Sequence, residues 1–436
     1  MEQEAAQRLV AEAAREVRRG ASAEGTSGSH VVTLVNAILD SALAEEATDI
    51  HLEPMGGRLR IRMRVDGLLR ERPIQFPTEL ASVIIARLKV MAGIDTGKRN
   101  RPQDGQIRYR YGEQLIDMRV AVLPVLGGER MVVRIMDAAE RFLSCAELGF
   151  TPYNQEIFER LIRRPTGLLL LCGPMNSGKT TTLYAALSEI NTPERNIMTI
   201  EDPPEYRIEG VNQIQVNKKT GMTYAAGLRA MLRSDIDEIV LGEIRDAETA
   251  EMAVRAALTG HLLFSTLHTK DALGAVFRLL DMGVPAYLLA AALTGVVAQR
   301  LVRRLCPHCR EPSEEALPAW AEGASSTGRL WRAAGCASCG GTGFSGRLAL
   351  QELLVVDAAL QQAIVHRAGL EEMRELAGRQ GMRTLAEDGI EKALQGRTTL
   401  SEVVRVLYGE ADAADFSGTF SGAARGDCGG ADDGGV

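Results

Sequence analysis

The run from 168 to 180, LLLLCGPMNSGKT, constrains this chain more than any other segment. An apolar strand pattern empties into Gly173-Pro174-Met175-Asn176-Ser177-Gly178-Lys179-Thr180, and the helical pattern TTLYAALSEI follows. That is GxxxxGK[ST] in the strand-to-helix context the motif requires. Its glycines let a backbone ring turn N–H groups inward, and the helix N-terminus adds partial positive charge at the same spot. The segment therefore predicts a cradle for ATP built from Gly173, Pro174, Asn176, Ser177, Gly178, Lys179, Thr180 and Thr181. Lys179 is expected to reach the β and γ phosphates, and Thr180 to ligate Mg2+.

Such a loop needs a parallel sheet around it. The runs LLLLC (168–172), NIMTI (196–200), EIVLG (238–242) and LLFST (262–266) alternate with helical patterns, which implies crossover units and an α/β core covered on both faces. Carboxylates at the carboxyl ends of parallel strands face the ligand crevice. Glu243, just beyond EIVLG, is expected near the metal and the attacking water, and Glu201 and Glu205 follow NIMTI. Either group alone could be a solvated loop acid. His261 and His268 flank LLFST at opposite ends; His268 is the better γ-phosphate sensor, against the plainer reading of a hydrogen-bonded structural histidine.

With 436 residues, two or more domains are expected. Residues 1–29 read as an amphipathic helix and a Gly/Ser/Thr linker, and 30–137 as a small α+β domain containing the alternating runs RLRIRMRVDG and LIDMRVAVLP. A connector is expected over 138–150 and the ATPase domain over 151–408. Within it, 306–339 interrupts an otherwise helical C-terminal region, and the Gly/Asp/Ala-rich tail 409–436 should be disordered. A net charge of −7 with dispersed basic residues lacks the footprint of a nucleic-acid binder. Neither a signal peptide nor a membrane span is legible, since the apolar stretch 284–298 is too short and carries Pro and Gly. A cytoplasmic location is expected.

Four of the seven cysteines form two CxxC pairs, Cys306/Cys309 and Cys336/Cys339. Two such pairs offer four thiolates for a closed, structural zinc site, the alternative being unbound thiols. His308 lies between two ligands without being needed. Cys145, Cys172 and Cys428 stand alone and are expected to be inert.

Taken together, GPMNSGKTTTLY, IMTIEDPPEY, LRSDIDEIVLGEIRD and TGHLLFSTLHT resemble, in order, the Walker A, Asp box, Walker B and His box of the secretion ATPase superfamily, which serves type II secretion and type IV pili. ATDIHLEP, RVDGLLRE, RPQDGQI and LIDMRVAVLPVLGGERMVVRIMD resemble its N-terminal domain. The resemblance implies a PAS-like domain joined to a RecA-like ATPase domain and assembled as a homohexamer. It also implies peripheral attachment to the inner membrane through a platform protein and a recruiting protein. Arg119 and Arg134 match the family's domain-bridging arginines, and Arg229 and Arg233, placed on the helix before Walker B, its other pair; surface ion pairing is the alternative for each. A tetracysteine insertion is similar to that of assembly ATPases and unlike retraction ATPases. The resemblance leans to type II secretion, with type IV pilus assembly as the alternative and a RecA-like nucleic-acid motor as a third. One departure lies inside Walker A, where Met175-Asn176 replaces the usual Thr-Gly and is expected to tighten the loop.

Overall fold

The computed structural model describes residues 3–18, 29–136, 143–314, 317 and 328–409. Most of the expected linker (21–28), the start of the connector (138–142), much of 315–327 and the tail from 410, with Cys428, lie outside the described residues. The chain divides after Arg141 into two compact units.

Unit one opens with α1 (Gln3–Arg18) and α2 (His30–Ala44), and Ser29 caps α2 by accepting the Val31 N–H. Strands β1 (Asp49–Met55), β2 (Arg58–Val65), β3 (Leu68–Glu71) and β4 (Phe76–Pro77) lead to α3 (Thr78–Met91). Then come β5 (Gln103–Tyr111), β6 (Gln114–Val125) and β7 (Gly128–Met136). They form an antiparallel sheet in the order β3-β2-β1-β7-β6-β5, with β4 on β2. Alternation dictates which face is which. Leu59, Ile61, Met63 and Val65 are buried with the apolar stripes of α2 and α3, so the arginines between them emerge on the other face.

Unit two begins with a 3-10 turn, Cys145–Leu148, whose Cys145 and Leu148 are buried, and α4 (Pro152–Ile162). Its elements continue as β8 (Gly167–Cys172), α5 (Lys179–Ile190), β9 (Ile197–Glu201), β10 (Asn212–Gln215), α6 (Tyr224–Met231) and β11 (Glu238–Leu241). Next are α7 (Ala247–Leu258), β12 (Leu262–Leu267), α8 (Ala272–Asp281), α9 (Ala286–Ala292) and β13 (Leu293–Leu305). A small ribbon of β14 (Arg310–Pro312) and β15 (Trp331–Ala333) precedes β16 (Phe344–Val355), and α10 (Ala358–Val365), α11 (Leu370–Arg379), α12 (Leu385–Leu394) and α13 (Leu400–Tyr408) close the unit. The sheet order is β10-β9-β11-β12-β8-β13-β16, parallel throughout except for β13 against β16. All six residues of β8 are buried, as befits the strand covered on both faces. The α/β architecture expected from the strand runs is present.

One expectation fails. The C-terminal region is not helical up to the cysteines: Leu293–Leu305 and Phe344–Val355 are the two long strands of an antiparallel pair. The first runs on directly from α9, in a sequence rich in Ala and Leu. Its first seven residues are all buried, and such a stretch shows no alternation and cannot be told by period from a buried helix. What decides is the slot beside β8, which β13 fills in parallel register.

Candidate active site

Because β8, β9, β11 and β12 are parallel, the loops that follow them gather along one edge of the sheet. The phosphate loop leaves β8 at Gly173, whose φ of 151° only glycine adopts easily, and enters α5 through Gly178 at φ 84°. Asn176 also holds a positive φ, 61°. Asparagine is among the few residues that tolerate this left-handed conformation. Met175 stands exposed at the loop's tip.

Lys179 is buried, and its ammonium donates to the carbonyls of Gly173 and Pro174, each at 2.8 Å. Burial lowers its pKa to about 8, against the pull of Glu243 and Glu205. The Thr180 hydroxyl donates to Glu205 Oε1 at 3.2 Å. Glu205 is thus brought to the start of α5.

Glu201 is placed differently. At the end of β9 it is buried and accepts from Tyr184 Oη (2.6 Å), Thr199 Oγ1 (2.6 Å) and Gln213 Nε2 (3.3 Å). Tyr184, on the loop's own helix, also accepts the Glu205 N–H at 3.2 Å. Glu201 thus braces, through Tyr184, the loop that carries Glu205.

Glu243 follows β11 after Gly242, where a Cβ would come within 3.1 Å of the Ile200 carbonyl. Its carboxylate is paired with Arg245 and lies 3.5 Å from His268 Nε2. His268 follows β12 on the same edge, whereas His261 sits at the opposite end with Nδ1 3.2 Å from the Ala256 carbonyl. Cys172, the last residue of β8, and Cys145 are buried, which pushes both thiols up to about 12.

The four paired cysteines converge. Their sulfurs lie within 4.8 Å of one another, with 3.9 Å between Cys306 and Cys336 and 3.8 Å from Cys339 to both Cys309 and Cys336. A tetrahedral zinc with Zn–S bonds of about 2.3 Å has S···S edges of about 3.8 Å, so the donor set and spacing fit that ion. Burial works against the Cys339 thiolate, but the N–H groups of Cys336 and Gly343, at 3.2 and 3.1 Å from its sulfur, hold its pKa below the ordinary thiol value.

A family profile described as Type II/IV secretion system protein matches residues 24–405. The Type II secretion system ATPase E of Vibrio cholerae is 47% identical over 88% of this chain and 76% of its own. The chain belongs to the type II/IV secretion system protein family. It is an ATP-hydrolysing enzyme of that family. The type IV pilus assembly ATPase PilB of Thermus thermophilus is 45% identical over 85% of this chain and 42% of its own. The crystal structure of the pilus retraction motor PilT with bound ADP superposes with a TM-score of 0.58 at 26% identity, covering 87% of this chain and 97% of that one.

In this secretion ATPase the four expected arginines fall into two groups. Arg119 and Arg134 are cross-strand partners on β6 and β7, and Arg134 Nε donates to Asp49 Oδ1 at 2.9 Å. Arg229, on α6, makes an exposed pair with Glu248 at 2.9 Å. Arg233 lies beyond the end of α6, contrary to its expected place on that helix, and donates to the Arg229 carbonyl at 2.8 Å. Thr181 is half-buried beside Lys179 in the first turn of α5. Sequence reasoning missed Arg245, Tyr184, Gln299 and Arg300. The last two had a signal, a polar pair inside the apolar run VVAQRLV. No helix among the described residues is long and apolar enough to cross a membrane.

Proposed function

We propose that this secretion ATPase is the motor subunit that drives pseudopilus assembly in type II protein secretion. It acts as a homohexamer at the cytoplasmic face of the inner membrane, held there by a platform protein and a recruiting protein. The domain limits are those read from the sequence. The observation that carries the reading is the meeting of Glu243 and His268 on the strand edge that also bears Lys179.

Lys179 and the N–H groups of residues 175–181 bind the phosphates, with Pro174, Asn176, Ser177 and Thr181 shaping the cradle. Thr180 ligates Mg2+, which supplies charge neutralisation for phosphoryl transfer, and Glu205 orients Thr180. Glu243 holds the attacking water, His268 senses the γ-phosphate, and Glu201 keeps the Glu205 loop in place. Arg119, Arg134, Arg229 and Arg233 offset the charge that develops on the phosphates. Cys306, Cys309, Cys336 and Cys339 hold one structural zinc.

Glu243→Gln tests the reading. ADP binding should stay within a few-fold of wild type while kcat falls by roughly 10²–10⁴, the span typical of a lost general-base or water-orienting group. Turnover near wild type would remove Glu243 from the mechanism. The 45% identity to PilB favours type IV pilus assembly as a second reading. Complementation separates the two: restored secretion in a strain lacking its type II ATPase supports the first, and restored piliation alone supports the second.

A further inference from the structure

The strand β13 carries a glutamine and an arginine where the surrounding residues are apolar, and both are tied to loops of the nucleotide edge. Gln299 is 2% exposed, so both ends of its amide must find partners or cost stability. They do. Nε2 donates to the Ser177 carbonyl and Oε1 accepts from the Thr182 hydroxyl, each at 2.8 Å. These two groups bracket Lys179 in sequence. Register explains the approach, since Ala298 is paired with Cys172 and the next residue of β13 lies beside the start of the loop.

A trans peptide points its C=O and its N–H in opposite directions. Holding the Ser177 carbonyl toward Gln299 therefore turns the Gly178 N–H to the other side of the loop, away from β13. The fit is close on two sides. A Cβ on Gly178 would come within 2.6 Å of Gln299 Nε2, and a Cβ on Gly173 within 2.5 Å of the Gln299 carbonyl. Arg300 works on the neighbouring loop: Nη2 donates to the Lys270 carbonyl at 2.6 Å, two residues past His268, and Nη1 to the Gln299 carbonyl at 2.9 Å.

We propose that Gln299 and Arg300 are positioning residues that clamp the phosphate loop and the His268 loop to one strand. Gln299 presets the loop's N–H groups for phosphate, and Arg300 sets the loop that carries His268. The proposal rests on the nucleotide-site reading above and deepens it. Each acts through the groups it holds: the Ser177 carbonyl and the Thr182 hydroxyl for Gln299, the Lys270 carbonyl for Arg300.

The test uses the full chain, with fluorescent ADP for affinity and steady-state ATPase for kcat and KM. Gln299→Met removes both bonds with little change of volume and should raise the ADP Kd about tenfold, as the loss of two buried hydrogen bonds implies. Thr182→Val should raise it about threefold, and the double variant should be no worse than Gln299→Met alone, because the two act through one contact. Arg300→Gln should lower kcat about tenfold with ADP affinity within about twofold of wild type. ADP affinity in Thr182→Val and Gln299→Met equal to wild type, or a fall in melting temperature alone, would overturn the clamp. If Gln299→Met does not fold, Thr182→Val decides. Lys179→Ala is the control for the underlying reading: wild type that fails to bind ADP defeats that reading, whereas binding wild type with unaffected clamp variants defeats only the clamp.

Discussion

The phosphate loop and the cysteine cluster, both in unit two, differ in what holds their polar groups. Two loop groups expected to meet a ligand have exchangeable partners within the chain: Lys179 rests on two of the loop's own carbonyls and Thr180 on Glu205. A nucleotide can take over both contacts. The sulfurs of the cluster have mainly one another, four within 4.8 Å, an arrangement that ionised thiolates would oppose without a cation. One site is built to load and unload, the other to stay filled.

The strongest way to break this contrast is Lys179→Ala. Loss of the buried ammonium should weaken ADP and ATP binding by roughly 10²–10³, a scale set by removing one preorganised charge from a dry site. Zinc content should remain at one per chain, since the cluster is independent of the loop; a simultaneous loss of zinc would show that the two sites are coupled. The reciprocal experiment comes next in size. Cys336→Ser or Cys339→Ser should abolish stoichiometric zinc and lower the melting temperature of unit two by about 5–10 °C, as a loss of ~3 kcal/mol does in a unit of this size. Elemental analysis and calorimetry read both effects, and protein that melts unchanged without zinc would make the ion incidental.

Titration sharpens the loop's side of the comparison. Burial lowers the Lys179 pKa to about 8, so the empty loop loses its charge as pH rises through that value. A bound polyanion favours the charged lysine and raises the pKa, so binding must take up a proton above pH 8. ADP affinity should be flat from pH 6.5 to 7.5 and then fall, by up to about tenfold per pH unit above 8. Calorimetry in buffers of different ionisation enthalpy detects the proton, and pH-independent affinity from 7 to 9 would assign the binding charge elsewhere. The smallest effect concerns Asn176. Valine there, forced to φ 61°, should cost about 1–2 kcal/mol in a denaturant titration, while glycine should be close to neutral.

The phosphate loop and the strand runs of the parallel sheet were legible because their patterns are local. A glycine pattern between an apolar run and a helical period specifies its own backbone, and Gly173–Thr180 with α5 formed where expected. CxxC pairs are readable for the same reason, although only folding carries Cys336 back to 3.9 Å from Cys306. Residues whose meaning depends on partners were read less well. Glu201 and Glu205 look alike in EDPPE, yet one is sealed under Tyr184, Thr199 and Gln213 while the other meets Thr180. Strand β13 hid in a helix-like composition until the slot between β8 and β16 claimed it. The sequence by itself determined which chemistry this chain carries, since motif spacing sets backbone turns and donor types over a few residues. The tertiary structure alone decided which side chains reach that chemistry, because strand order and register bring together groups, such as Gln299 and Ser177, that the linear sequence holds far apart.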